Sequence, residues 1–140
     1  MRIAAALLAD AAVARDGTLT VVNAGVNLFQ LPELPSMLHA SLAVMVEVEP
    51  DQREQDFTVL VDFYIGSGDT GKRLSGVRAE WEAGTSLVLF DDLPSFLPLG
   101  IDLANLIITD EGLHTIRVSL SGAESVYVSF RAMLGSDQSE

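Results

Sequence analysis

Two histidines, His39 and His114, and a large surplus of carboxylates are the residues of this chain best able to do chemistry. Either group must converge in space to act. Alternation along the chain places His39 on the same side as Ser41, Ala43, Met45, Glu47 and Glu49. His114 shares its side with Ile116, Val118 and Leu120. One imidazole therefore points out and the other in, so they form no paired metal centre. His114 reads as a buried imidazole held by a hydrogen bond, with a pH-sensitive switch as its functional alternative. Nucleophilic catalysis finds no support: there is no cysteine and no Gly-x-Ser-x-Gly elbow. Gly66-Ser-Gly-Asp-Thr-Gly71-Lys72 has residues of a phosphate loop, but it lacks the spacing and sits in an expected hairpin with no helix after it. The chain therefore reads as a non-enzyme with no cofactor.

The carboxylates offer the sharper chemical idea. If the strands run up and down, alternate connections fall at one end. Asp10 and Asp16, then Glu49, Asp51 and Asp56, then Asp91 and Asp92 would gather there. Calcium accepts six to eight oxygen ligands supplied by loops, so Asp51, Asp91 and Asp92 are candidate metal ligands on an acidic rim that could also take a carbohydrate. No Asp-x-Asp-x-Asp loop accompanies them, and turn carboxylates are commonly just solvated.

Charge narrows the partners. Eight Lys and Arg against 20 Asp and Glu give a formal charge of −12, which repels nucleic acid and anionic membranes. A chain without cysteine fits a reducing compartment, and a cytoplasmic location is the expectation. Met1-Arg2 and the apolar Ile3–Ala9 outline an export signal, but the single arginine, the short apolar run and Asp10 favour a buried first strand.

The elements that must position these residues are strands. Phe57, Val59, Val61, Phe63 and Ile65 alternate with polar neighbours, as do Leu38 to Val48 on the even numbers, Val77 to Trp81, His114 to Leu120 and Val126 to Ala132. Leu97, Leu99, Ile101 and Leu103 alternate too, and Pro98 on the opposite parity predicts a strand at a sheet margin. From Thr18 to Leu31 the apolar phase slips between Val21 and Val22, which predicts a bulge. Breakers at Asp16-Gly17, Pro32 to Pro35, Pro50-Asp51, Pro94 and Glu111-Gly112 bound the strands. The expectation is one all-β domain over residues 1–134, an eight-stranded antiparallel β-sandwich, followed by a polar tail at 135–140.

Ala6-Leu-Leu-Ala-Asp-Ala-Ala, the stretch from Gly17 to Gly25 with Leu19 and Val21, Pro32-Glu-Leu-Pro35, and Gly112-Leu-His-Thr-Ile-Arg-Val118 with Gly122 resemble an uncharacterised bacterial family of small immunoglobulin-like β-sandwich proteins. The resemblance spans nearly the whole chain and implies an immunoglobulin-like fold. Its motifs are glycines and core aliphatics, so it transfers no catalytic residue. His114 departs from it, standing where such domains more often carry tyrosine.

Apolar residues outside the clean alternation point to contacts. Leu87, Leu89 and Phe90 in one long connection, and Leu106 and Ile107 in another, either cover the open ends of the sandwich or form an interface. Ala43 and Met45 add a second patch on an outer face nearly free of charge. The expected role is a binding or assembly module that self-associates or docks to a protein partner.

Overall fold

The computed structural model describes residues 1–52, 55–67, 72–81, 92–121 and 125–135. Its strands are β1 (Arg2–Ala9), β2 (Ala11–Arg15), β3 (Thr18–Val22), β4 (Leu28–Leu31), β5 (Ser36–Met37), β6 (Ser41–Val48), β7 (Phe57–Ile65), β8 (Lys72–Trp81), β9 (Ser95–Asp102), β10 (Ile107–Ile108), β11 (Gly112–Leu120) and β12 (Val126–Leu134). A single 3₁₀ turn at Pro50–Gln52 is the one helical element among the described residues, so none is long and apolar enough to cross a membrane. The chain is all-β.

Two larger sheets carry the core. One has the order β1-β6-β9 and the other β4-β12-β11-β7-β8; the ribbons β2-β3 and β5-β10 complete the set. Pairing is antiparallel except where β4 runs parallel to β12, a departure from the purely antiparallel expectation. Alternation explains the core. Leu42, Val44, Val46 and Val48 from β6, Val59, Val61 and Phe63 from β7, and Ile116, Val118 and Leu120 from β11 belong to one buried cluster. Each fully buried Val, Leu or Ile adds roughly 1.5–3 kcal/mol of transfer free energy. Among the described residues β9 pairs only with β6, so Pro98 lies on an edge strand of that sheet, a position that tolerates a residue without an N–H.

The phase slip between Thr18 and Leu31 is not a bulge. It marks a change of partner: β3 pairs with β2 in a separate hairpin, while β4 joins β12 in the larger sheet. The side chains change phase because the two halves answer to different neighbours. Asp16 and Gly17 connect β2 to β3 with φ of 51° and 76°, the pair of positive values that a two-residue turn of the right-handed hairpin twist requires. The base of the hairpin is closed by Asp10 N–H donating to Val22 O at 2.9 Å and Asn23 Nδ2 donating to Asp10 Oδ2 at 2.6 Å. The chain is then held against β1, where Leu8 O accepts from Gly25 N and Val26 N.

Candidate functional site

The side of β1-β6-β9 that faces away from the core is the most unusual surface among the described residues. Register aligns Arg2 with Glu47 and Phe96, Ala5 with Met45 and Pro98, and Leu7 with Ala43 and Gly100. Ser41 and Asp102 follow at the far end. The Arg2 guanidinium pairs with the Glu47 carboxylate, so charge on this face is confined to that internally neutralised pair and to Asp102. Between them lie apolar side chains, of which Leu7 is 44% and Phe96 47% exposed. Exposed apolar area of this kind favours a contact surface.

The β2-β3 hairpin crosses one end of this face. Leu97 and Leu99 point into the core, so Gly100 faces outward, and a Cβ built there would overlap the carbonyl oxygen of Ala12 and lie 2.9 Å from its carbon. Glycine is needed at this point because the hairpin backbone occupies the side-chain position. Ala43, the neighbour of Gly100 in register, is buried although it faces outward. Under the hairpin lies an open cleft of about 430 Å³, whose polar lining is Asp10, His39, Ser41 and Asp102. One oxygen of each carboxylate is occupied: Asp10 Oδ2 by Asn23, and Asp102 Oδ1 by the Ala104 amide at 2.9 Å.

The outer face of the other sheet is built differently. Register aligns Asp62 with Arg117 and Tyr127, and Tyr64 with Thr115 and Ser129. Arg117 Nη2 donates to Asp62 Oδ2 at 3.0 Å, and the guanidinium carbon lies 5.5 Å from the centre of the Tyr64 ring. The hydrogen bond to Asp62 is the chief cause that raises the Arg117 pKa above its ordinary, already basic value, against the opposing effect of burial. Thr115 Oγ1 donates to Gly66 O at 2.7 Å and ties this face to the end of β7.

The residues singled out from sequence fall as follows. Asp51 lies in the 3₁₀ turn and Asp92 in the turn before β9; both are exposed, and both lie at the end where Val48 pairs with Ser95. Asp10 lies at the opposite end, beyond Ala9 and its partner Ser41. The single acidic rim that would join it to Asp51 is therefore not formed. The reason is the hairpin and the change of sheet after it, which alter the end at which later connections fall. No group of three or more His, Cys, Asp or Glu is placed to hold a metal among the described residues. Asp91, Leu87, Leu89 and Phe90 lie outside the described residues.

Leu106 is buried in the core, and its carbonyl accepts from Leu38 N at 3.0 Å, so its side chain is not part of the exposed surface. Ile107 is 53% exposed and sits opposite Met37, itself 50% exposed, on the β5-β10 ribbon. The short alternation of the ribbon explains why adjacent residues differ so sharply.

His114 points inward and is 2% exposed. Its Nδ1 is 3.0 Å from Gly112 O, its ring stacks on Phe130 with centroids 5.1 Å apart, and Nε2 is buried with no hydrogen-bond partner among the described residues. His39 lines the hairpin cleft instead, so the two imidazoles occupy separate environments.

Leu7, Phe96 and Asp102 were not singled out by sequence reading. The signal was present as parity: Phe96, Pro98, Gly100 and Asp102 alternate against Leu97, Leu99 and Ile101. No family model and no curated protein matches the chain.

Proposed function

We propose that the chain is an immunoglobulin-like β-sandwich that acts by assembly and carries no catalysis of its own, self-associating through the outer face of β1, β6 and β9. The fold reading is supported by the sheet orders. β1-β6-β9 corresponds to strands A, B and E of such a domain, β12-β11-β7-β8 to G, F, C and C′, and a first strand divided between sheets accounts for the parallel β4-β12 pair. It accords with the bacterial family that the glycines and core aliphatics resemble. A cytoplasmic setting goes with this reading, as a chain without cysteine suits it.

The observation that carries the functional reading is the exposure of Leu7 and Phe96 on a face whose central rows hold no charge. A second copy is the favoured occupant because of charge. Two chains of formal charge −12 repel over most of their surfaces, and the central rows of this face let them meet away from Asp102, the carboxylate at its far end. An isologous contact needs only one such face, and homo-oligomers are mostly built that way. A calcium- or carbohydrate-binding acidic rim is the alternative reading. It has less support, because Asp51 and Asp92 lie at one end while Asp10 and Asp102 lie at the other.

The test is absolute mass by light scattering during size exclusion, for wild type and for Leu7→Asp with Phe96→Asp, each in calcium and in chelator. The expected result is a wild-type multimer independent of calcium that becomes a folded 15.0-kDa monomer in the variant. A wild-type monomer in both buffers ends the assembly reading, and a mass that follows calcium transfers support to the acidic rim.

A further inference from the structure

The β2-β3 hairpin lies across the outer face of β9, yet little holds it there. Its two strands pair only with each other, and no residue of Ala11–Arg15 or Thr18–Val22 is buried. Its hydrogen bonds are internal ones: Thr18 Oγ1 donates to Arg15 O, and Asp10 closes the base with Val22 and Asn23. Among the described residues no hydrogen bond or ion pair joins Ala11–Val22 to β6 or β9. Packing beneath is incomplete too, with an open cleft of about 430 Å³ lined by Ala11, Ala12 and Val13 on the hairpin and by Ala40, Ser41 and Ala104 below it. A unit with so few buried contacts sits at the low end of local opening free energies.

The hairpin nevertheless has a specific seat. The Ala12 carbonyl occupies the place of a side chain at Gly100, and Ala43, next to Gly100 in register, is buried although it faces outward. Those two residues belong to the same outer face as Leu7, Met45 and Phe96. Two sheets stack face to face about 10 Å apart, and over the Gly100 row that space is filled by the hairpin. A second copy can therefore reach the rows of Phe96 and Pro98 while the hairpin is seated, but the row of Ala43 and Gly100 only once it has moved.

We propose that the hairpin is an autoinhibitory cover of the assembly face: it swings off β9 about Asp10 and Asn23, and its seat on Gly100 competes with a second copy of the chain. Resting on the proposed self-association through β1, β6 and β9, this competition supplies its regulation. The two ends of the hairpin meet at the Asp10–Asn23 hydrogen bond, and Gly25 and Val26 rejoin β1 at Leu8 O, so the segment between them moves without unpairing the sheet. Linkage makes the competition reciprocal: whatever unseats the hairpin strengthens association, and association unseats the hairpin.

The experiment measures the dissociation constant by light scattering over a concentration series, with hydrogen exchange on the same samples, for wild type, Gly100→Ala and Gly17→Val. The first substitution removes the seat; the second strains the turn, where φ is 76°, and changes no residue of the face. An unseated two-stranded hairpin is only marginally stable, so exchange reports its release. The expected result is faster exchange across Ala11–Val22 in both variants and association tightened at least about fivefold, the low end of typical coupling between sites. In the wild type the same amides should exchange faster in the multimer than in the dilute monomer. Association unchanged or weakened in variants whose hairpin has loosened overturns the cover and leaves self-association standing. Hairpin protection that both variants leave intact removes the seat and the proposal with it. A wild type that is monomeric at every concentration instead ends the assembly reading on which the cover depends. If one variant fails to fold, the other decides.

Discussion

The two outer faces of this molecule solve the same problem in opposite ways. Each sheet buries one side in the shared core and must satisfy the groups on the other. On the outward side of β7 and β11, Asp62, Tyr64 and Thr115 are buried as well, and the polar groups there satisfy one another: Arg117 is held by Asp62 and lies over Tyr64, while Thr115 donates to Gly66. The β1-β6-β9 face instead carries Ala5, Leu7, Met45, Pro98 and Phe96, with an ion pair only at one margin and a hairpin laid across the other. A face closed only in part by a hairpin leaves the remainder exposed, and the proposed self-association rests on that remainder.

The comparison breaks most severely at Gly100. Replacing it with alanine puts a methyl group into the Ala12 carbonyl, and because the neighbour is backbone it has no alternative rotamer. Either the hairpin lifts or β9 shifts, with a cost of up to about 3 kcal/mol for overpacking. Hydrogen exchange should show faster exchange across Ala11–Val22 while amides of β7 and β11 in the other sheet keep their protection. Uniform loss of protection in both sheets would mean that the hairpin is an integral part of the core and not a separate cover.

On the polar face the corresponding change is Arg117→Met. It removes the guanidinium beside Asp62, whose side chain is only 11% exposed, and leaves a largely buried carboxylate with a poorer set of partners. A loss of about 2 kcal/mol in unfolding free energy is expected, below the cost for a fully buried pair because Arg117 retains some exposure. The pH dependence follows from the sign of the shift. A cationic group whose folded pKa is raised contributes stability that is fully present below its ordinary value and is lost only as pH rises through the folded one. As arginine already titrates far into the alkaline range, its contribution should stay constant from neutral to moderately alkaline pH. A difference between wild type and variant that changes across that interval would place the stabilising ionisation on another group.

How much of this was readable beforehand depended on whether a residue answered to one neighbour or to several. The strands of the core were legible because alternation is a local property: Val59, Val61 and Phe63, or Ile116 and Val118, repeat every second residue whatever they face. The margin position of Pro98 followed from its missing donor. The hairpin was not legible as a cover, since Ala11–Val22 alternates no differently from a sheet strand, and its seat on Gly100 joins residues far apart in sequence. That error propagated to the acids. With two more strands and a change of sheet before β6, Asp10 lines one open cleft with Asp102 and His39, at the end opposite Asp51. Leu106 and Ile107 show the same limit on a smaller scale: one is core and the other surface, and only the pairing of β10 with β5 decides which.

The smallest expected effect comes from the ion pair at the margin of the apolar face. Arg2 is 67% exposed at its side chain although its partner Glu47 is 12% exposed, so solvent screens the pair from one side only. Arg2→Met should therefore cost less than about 1 kcal/mol, and the cost should shrink as salt is added. The same substitution extends the apolar surface beside Phe96, its row-mate through Glu47. If that face is an interface between copies, Arg2→Met should leave the multimer intact or strengthen it while slightly lowering monomer stability. These two opposed movements in one variant are what separate an apolar contact from one held by the charge pair. A multimer that dissociates on Arg2→Met would assign the contact to the Arg2–Glu47 pair and remove Leu7 and Phe96 from its centre.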